Sequence, residues 1–160
     1  MGVGSWELIR PLCGQGTLKC LLVGSEDADY SCRDMAQLFR VILPVSDIER
    51  ARRFYVALLE SEGAQVSPGR HYFGCGGVIL ACFDPRADGD PWDAKPNPDH
   101  VYFAVPDLEA ALRRAESAGA VILKTIETQP WGERSFYCAD PFGNKLCFVD
   151  ERTRFTAGLL

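Results

Sequence analysis

The chain is expected to fold as an α+β protein built from two tandem β-α-β-β-β modules whose sheets curl around a shared concave cavity. Three observations predict this. The stretch RVILPVSDIERARRFY at residues 40–55 is nearly repeated as HVYFAVPDLEAALRRA at residues 100–115. Each copy is followed by three short apolar runs broken by turn residues. Between the halves lies DPRADGDPWDAKPNPD (84–99), dense in Pro and Asp and without periodicity, which reads as a connector. Each half offers a sheet covered by a helix on one face only, and two such halves side by side can enclose a common cavity.

The elements follow in order. Val41, Leu43 and Val45 alternate with Arg40, Ile42 and Pro44, and Val101, Phe103 and Val105 alternate with His100, Tyr102 and Ala104. Both runs therefore have strand spacing. Ser46 with Glu49 forms a capping-box pattern, and Asp47 and Asp107 are each placed to accept hydrogen bonds from the first helical N–H groups. Ile48, Ala51, Tyr55, Leu58 and Leu59 form one apolar helical stripe; Leu108, Ala111, Leu112, Ala115 and Ala118 form the other. Gly63 and Gly119 are expected to supply the left-handed stops. The strands AQVS, RHYFGC and GVILACF then complete the first half, and AVILKTIE, RSFYCA and KLCFV the second. These bounds predict an extension over 1–37 without an assigned role, a domain over 38–155 and a C-terminal tail over 151–160. Within the domain, module one spans 38–83, the connector 84–99 and module two 100–150. In the extension, LKCLLVG is a candidate added strand.

At 160 residues the chain suits one ordinary domain with a real core. Its formal net charge of −5 provides no extended positive field, so a nucleic-acid partner is not expected. No apolar run approaches the roughly 20 residues of a spanning helix, and the first residues lack the order of a secretory signal. The expectation is a cytoplasmic protein without a membrane partner. Seven cysteines, an odd count without a C-x-x-C pair, point to reduced thiols rather than a disulfide framework or zinc ribbon. With only His71 and His100 present, motifs built on a helical His pair are excluded; G-x-S-x-G and the phosphate loop are also absent.

The first repeat with its VSD and RFY, the segment DHVYFAVPDLEAALRRAESAGA, and above all WGERSFYCADPFGN at 131–144 together resemble the vicinal oxygen chelate superfamily. That superfamily includes glyoxalases, bleomycin-resistance proteins and extradiol dioxygenases. The resemblance spans about Leu38 to Asp150 and implies paired modules and a homodimer, without implying one reaction. It also implies four cavity-facing seats, which carry His, Glu or Gln in metal-dependent members. Here those seats fall on Arg40, on Leu80 or Cys82, on His100 and on Cys147. A guanidinium has no lone pair to donate, so Arg40 cannot ligate a metal. No cofactor is expected; the alternative is a divalent metal (zinc, nickel, manganese or iron) on a rewired set such as Cys82, Cys147 and His100.

Strand parity places Arg40, Ile42, His100, Tyr102, Lys145 and Cys147 on the face that would line the cavity. A small organic anion is the expected ligand, with Arg40 as clamp and His100 as hydrogen-bond partner or candidate acid/base. Trp92 in the connector and Trp131 before the GER turn are candidate stacking surfaces for an aromatic ligand. DPFGN reads as a tight hairpin turn. The favoured function is metal-independent binding of a small anion or aromatic compound. The alternatives are a metal-dependent glyoxalase-type lyase/isomerase or dioxygenase, a metal-free enzyme using His100 and Arg40, and an accessory protein with a vestigial cavity.

Overall fold

A computed structural model describes residues 36–159. LKCLLVG and Cys13, Cys20 and Cys32 lie outside the described residues. Two four-stranded sheets, each with one helix, follow the expected β-α-β-β-β order twice. Module one holds β1 (Arg40–Pro44), α1 (Ile48–Leu59), β2 (Ala64–Ser67), β3 (Arg70–Cys75) and β4 (Val78–Phe83). Module two holds β5 (Val101–Val105), α2 (Leu108–Ala118), β6 (Val121–Thr128), β7 (Arg134–Ala139) and β8 (Lys145–Asp150). The strand orders are β1-β4-β3-β2 and β5-β8-β7-β6. In each sheet the strand before the helix pairs in parallel with the last strand, and the other neighbours are antiparallel. A helix is what allows the parallel pairing, because the chain must cross over to return in the same direction.

Each helix starts on an aspartate. Asp47 accepts a hydrogen bond from the Arg50 amide at 2.9 Å, and Asp107 accepts one from the Ala110 amide at 2.8 Å. The Ser46–Glu49 capping box does not form, because Asp47 is the cap and Glu49 instead meets Arg52 Nε at 3.3 Å. The stop of α2 is Gly119, with φ +89° and its amide bonded back to the Ala115 and Glu116 carbonyls. The stop of α1 is a correction: Glu60, not Gly63, takes the left-handed position, with φ +53°. Gly63 serves a different need. A Cβ there would lie 2.5 Å from the Tyr72 carbonyl oxygen, so the backbone approaches β3 more closely than a side chain allows.

The core lies between the helices and the faces of the sheets they cover. In module one, Leu43, Phe73, Leu80 and Cys82 meet Ile48, Ala51, Phe54, Tyr55 and Leu58. In module two a row of rings crosses the sheet: Phe148 stacks on Phe103 at 5.1 Å and on Phe136 at 5.0 Å between centroids. Registers that pair Phe103 with Phe148 and Phe148 with Phe136 create this row. The two modules share one core. Arg114 on α2 donates from Nε to the Leu58 carbonyl at 3.2 Å and pairs with Glu60, which ties the helices together.

The DPFGN turn does more than reverse the chain. Asp140 is buried and accepts from the Tyr55 hydroxyl of α1 at 2.7 Å, from the Phe142 and Asn144 amides, and from Asn144 Nδ2. Asn144 Nδ2 also donates to the Pro44 carbonyl at 2.8 Å, and Asn144 Oδ1 accepts from the Asn97 amide at 2.9 Å. Asn97 in turn donates to the Ile42 carbonyl at 2.9 Å. One turn thus joins β1, α1 and the connector to module two. The tail after β8 is fixed to the same module, where Thr153 accepts from the Arg134 amide and Glu133 accepts from the Phe155 amide.

Candidate functional site

The faces of the two sheets turned away from the helices are open, and they carry the candidate residues. On module one, Arg40 pairs with Ile79, Ile42 with Ala81 and Pro44 with Phe83, while Arg70 and Tyr72 of β3 sit opposite Phe83 and Ala81. A cavity of about 50 Å³ is lined by Arg40, Ile42, Arg70, Tyr72, Ala81 and Phe83. The Arg40 guanidinium lies 4.7 Å from the centre of the Tyr72 ring and 5.0 Å from that of Phe39. Its Nε is shielded from solvent with no hydrogen-bond partner, and among the described residues no carboxylate is within ion-pair range of Arg40. The second guanidinium of the cavity is occupied. Arg70 Nε, like that of Arg40, is shielded without a well-directed hydrogen bond, but it is ion-paired, 2.8 Å from Asp88 Oδ2, and the group covers the Phe83 ring at 4.4 Å.

The seat expected at Leu80 or Cys82 is a correction. Those residues do share a face, but it is the helix-facing one: Leu80 lies opposite Val41 and Cys82 opposite Leu43, both within the core. Ala81 and Ile79 are the β4 residues beside Ile42 and Arg40, and neither has a donor atom in its side chain. The rewired set of Cys82, Cys147 and His100 is not assembled, since Cys82 points into the core of module one. Burial, with the Asp140 carboxylate second, drives the Cys82 thiol far above its ordinary range. Among the described residues, no three or more His, Cys, Asp or Glu side chains are grouped to hold a metal ion. The other histidine, His71, is also a core residue, with Nε2 2.8 Å from the Glu62 carbonyl and the ring against Phe73.

Module two brings together a polar cluster. Cys147 lies opposite both Tyr102 and Tyr137, as β8 runs between β5 and β7. The His100 ring stands edge-on to Tyr137 at 5.1 Å and 6.2 Å from Tyr102. Ser135, two residues before Tyr137, accepts from Gln129 Nε2 at 3.1 Å. Burial pushes the Cys147 thiol up to about 11, against the pull of the Tyr137 and Ser135 hydroxyls that bond to it. Burial, then the neighbouring Cys147, pushes the Tyr137 phenol up to about 12. Both groups therefore keep their protons at neutral pH and act as hydrogen-bonding groups rather than nucleophiles. A thiol held near 11 exposes roughly 100-fold less thiolate at pH 8 than one near 9. Iodoacetamide at that pH should therefore label Cys147 of the native protein at least about tenfold more slowly than a free thiol. Labelling at the free-thiol rate, read by peptide mass spectrometry, would contradict the assignment.

The remaining candidates are dispersed. Lys145, on the same parity as Cys147, is exposed at the start of β8. Trp131 donates from Nε1 to Glu133 at 2.8 Å within its own hairpin and lines neither described cavity. Trp92 lines an open cleft of about 380 Å³ together with Pro44, Phe83, Pro85, Asp93, Ala94 and Lys95. Arg40 and His100 stay on separate sheets, each with aromatic neighbours from its own module. Arg70, Tyr72 and Phe83 were legible in RHYFGC and GVILACF only as parity; the antiparallel β3–β4 register brings them beside Arg40. Tyr137, Ser135 and Gln129 carried no separate signal in the sequence.

The model of a family described as the Glyoxalase/Bleomycin resistance protein/Dioxygenase superfamily matches residues 37–148. A glyoxalase-related enzyme from Fulvimarina pelagi superposes with a TM-score of 0.63 at 20% identity, covering 72% of this chain and 88% of that one. A lactoylglutathione lyase from Agrobacterium tumefaciens gives 0.58 at 22%, covering 73% and 95%. A superfamily member from Sphaerobacter thermophilus gives 0.58 at 25%, covering 73% and 98%. In sequence, an uncharacterised protein of Mycobacterium bovis is 40% identical over 47 residues, which are 29% of this chain and 31% of that protein. The chain thus spans under a third of the length of that curated relative.

Proposed function

Since the chain belongs to the glyoxalase/bleomycin resistance protein/dioxygenase superfamily, we propose that it binds a small organic anion without a metal, using Arg40 as the anion clamp. The observation that carries this reading is the state of Arg40. Its guanidinium is held between two aromatic rings on an open sheet face, shielded at Nε and unpaired among the described residues. A buried donor without a partner costs roughly 1–3 kcal/mol, so a ligand carboxylate or phosphate that satisfies it recovers that loss. The seats that resemblance to metal-dependent members would assign to metal do not fit one here. Arg40 has no lone pair, and Ala81 and Ile79 occupy the face where the second donor is needed, leaving His100 and Cys147.

A dimer completes this reading. Ile42 and Tyr102 are 49% and 60% exposed on the two open faces, more than side chains of a closed cavity would be. A second copy laying its module two over module one would cover both and set His100 and Tyr137 opposite Arg40. Among the described residues no helix is long and apolar enough to cross a membrane.

The test has two arms. Elemental analysis after incubation with zinc, nickel, manganese or ferrous iron and desalting is expected to find well under one metal per chain. Calorimetric titration with small carboxylates is expected to show binding that Arg40→Ala weakens about 10- to 100-fold with the melting temperature unchanged, the loss of one charge-assisted contact. Stoichiometric metal, or affinity indifferent to Arg40→Ala, would overturn the reading.

A further inference from the structure

The Arg40 cavity and the connector cleft are neighbours, and their junction suggests the shape of the ligand. Phe83 lines both. On β1 the Arg40 cavity holds Ile42, and the cleft holds Pro44, two residues further on the same face. The two cavities therefore adjoin along the open side of β1, with Phe83, one face of whose ring Arg70 covers, as their common wall. From Arg40 to Pro44 is four residue steps along β1, or about 13 Å. The charges of the two cavities are unequal. Arg70 is engaged by Asp88, and Asp93, the one carboxylate among the cleft residues, is paired with Arg86 at 2.8 Å. Arg40 in one and Lys95 in the other are without an ion pair among the described residues. Between them the apolar surface is Ile42, Pro44 and the part of Phe83 that Arg70 leaves free, and Trp92 is 53% exposed in the cleft.

Resting on the anion reading of Arg40, we infer that module one supplies one wall of an elongated site for an aromatic carboxylate of at least two rings. The carboxylate sits on Arg40, and the ring system lies across Phe83 and Pro44 into the Trp92 cleft. A single-ring acid satisfies Arg40 but does not reach Trp92. A neutral compound of the same length gains the apolar contacts but leaves the guanidinium unpaired. The connector is thus a specificity element, where sequence composition alone marks it as a linker.

Three probes test this on the full chain by calorimetry: benzoate, biphenyl-4-carboxylate and the neutral biphenyl-4-carboxamide. Biphenyl-4-carboxylate should bind at least about tenfold more tightly than benzoate, the gain from burying a further ring, and also more tightly than the carboxamide. Trp92→Ala should remove most of the gain over benzoate and leave benzoate itself unchanged; Trp92 is exposed, so the fold does not depend on it. In a nitrogen–proton correlation spectrum, the Trp92 indole resonance, assigned through Trp92→Phe, should shift with biphenyl-4-carboxylate and not with benzoate. Equal affinity for the two acids, or a gain that survives Trp92→Ala, would overturn the elongated site while Arg40 dependence stands. If Arg40→Ala leaves benzoate affinity unchanged, the anion reading falls, and this inference with it.

Discussion

Asn144→Ala should lower the free energy of unfolding by about 3 kcal/mol, and the melting temperature by on the order of 10 °C. The side chain is fully buried and makes three hydrogen bonds: to the Pro44 carbonyl, to Asp140 and from the Asn97 amide. Alanine leaves the Pro44 oxygen and the Asn97 N–H without their partner, deprives Asp140 of one donor, and opens a small void beside them. Each unsatisfied buried group costs roughly 1–3 kcal/mol, so the effect exceeds that of losing one ordinary hydrogen bond. Urea and thermal unfolding measure it. The network reaches α1 through Tyr55, whose hydroxyl is held protonated by burial and by the Asp140 carboxylate. Tyr55→Phe should therefore couple to Asn144→Ala in a double-mutant cycle by about 0.5 kcal/mol or more. A loss below about 1 kcal/mol for Asn144→Ala would mean that the turn is held by its backbone alone.

Phe148→Ala should cost about 4 kcal/mol, within the range for truncating a buried aromatic. Phe148 is the middle ring of three, 1% exposed and nearly parallel to Phe136 at 9° and to Phe103 at 16°. Its removal forfeits the burial of one ring and both stacking contacts, and the flanking rings are fixed on β5 and β7 and cannot close the gap. Phe148→Leu should lose roughly half as much, since it keeps most of the buried volume and loses the stacking. If Phe148→Ala cost under about 2 kcal/mol, the sheet would have to relax around the void, and the ring row would not be the rigid spine of module two.

Much of the fold was legible in the sequence because its signals are local. The repeat at 40 and 100 marks both modules, the alternation in each copy marks a strand, and Asp107 with Gly119 marks both ends of α2. Local signals also misled where two solutions differ by one to three residues. Ser46–Glu49 offered a cap that Asp47 supplies, and Gly63 offered a stop that Glu60 makes. At the site, alternation correctly put Leu80 and Cys82 on one face but could not say which, because a strand pattern reads the same from either side. Only the parallel register of β1 with β4, and the helix that covers Leu43 and Val41, turn that face inward.

By itself, then, the sequence determined the two modules, their strands and helices, and the presence of a guanidinium at the start of β1. The tertiary structure alone decided that Arg40 lies between Tyr72 and Phe39 without an ion pair among the described residues, that Phe83 lines both its cavity and the Trp92 cleft, and that DPFGN is an inter-module lock. The physical reason is separation along the chain. Asp140 finds Tyr55 85 residues away and Asn144 finds Pro44 100 residues away, contacts that no local periodicity encodes and only packing of the shared core can bring about.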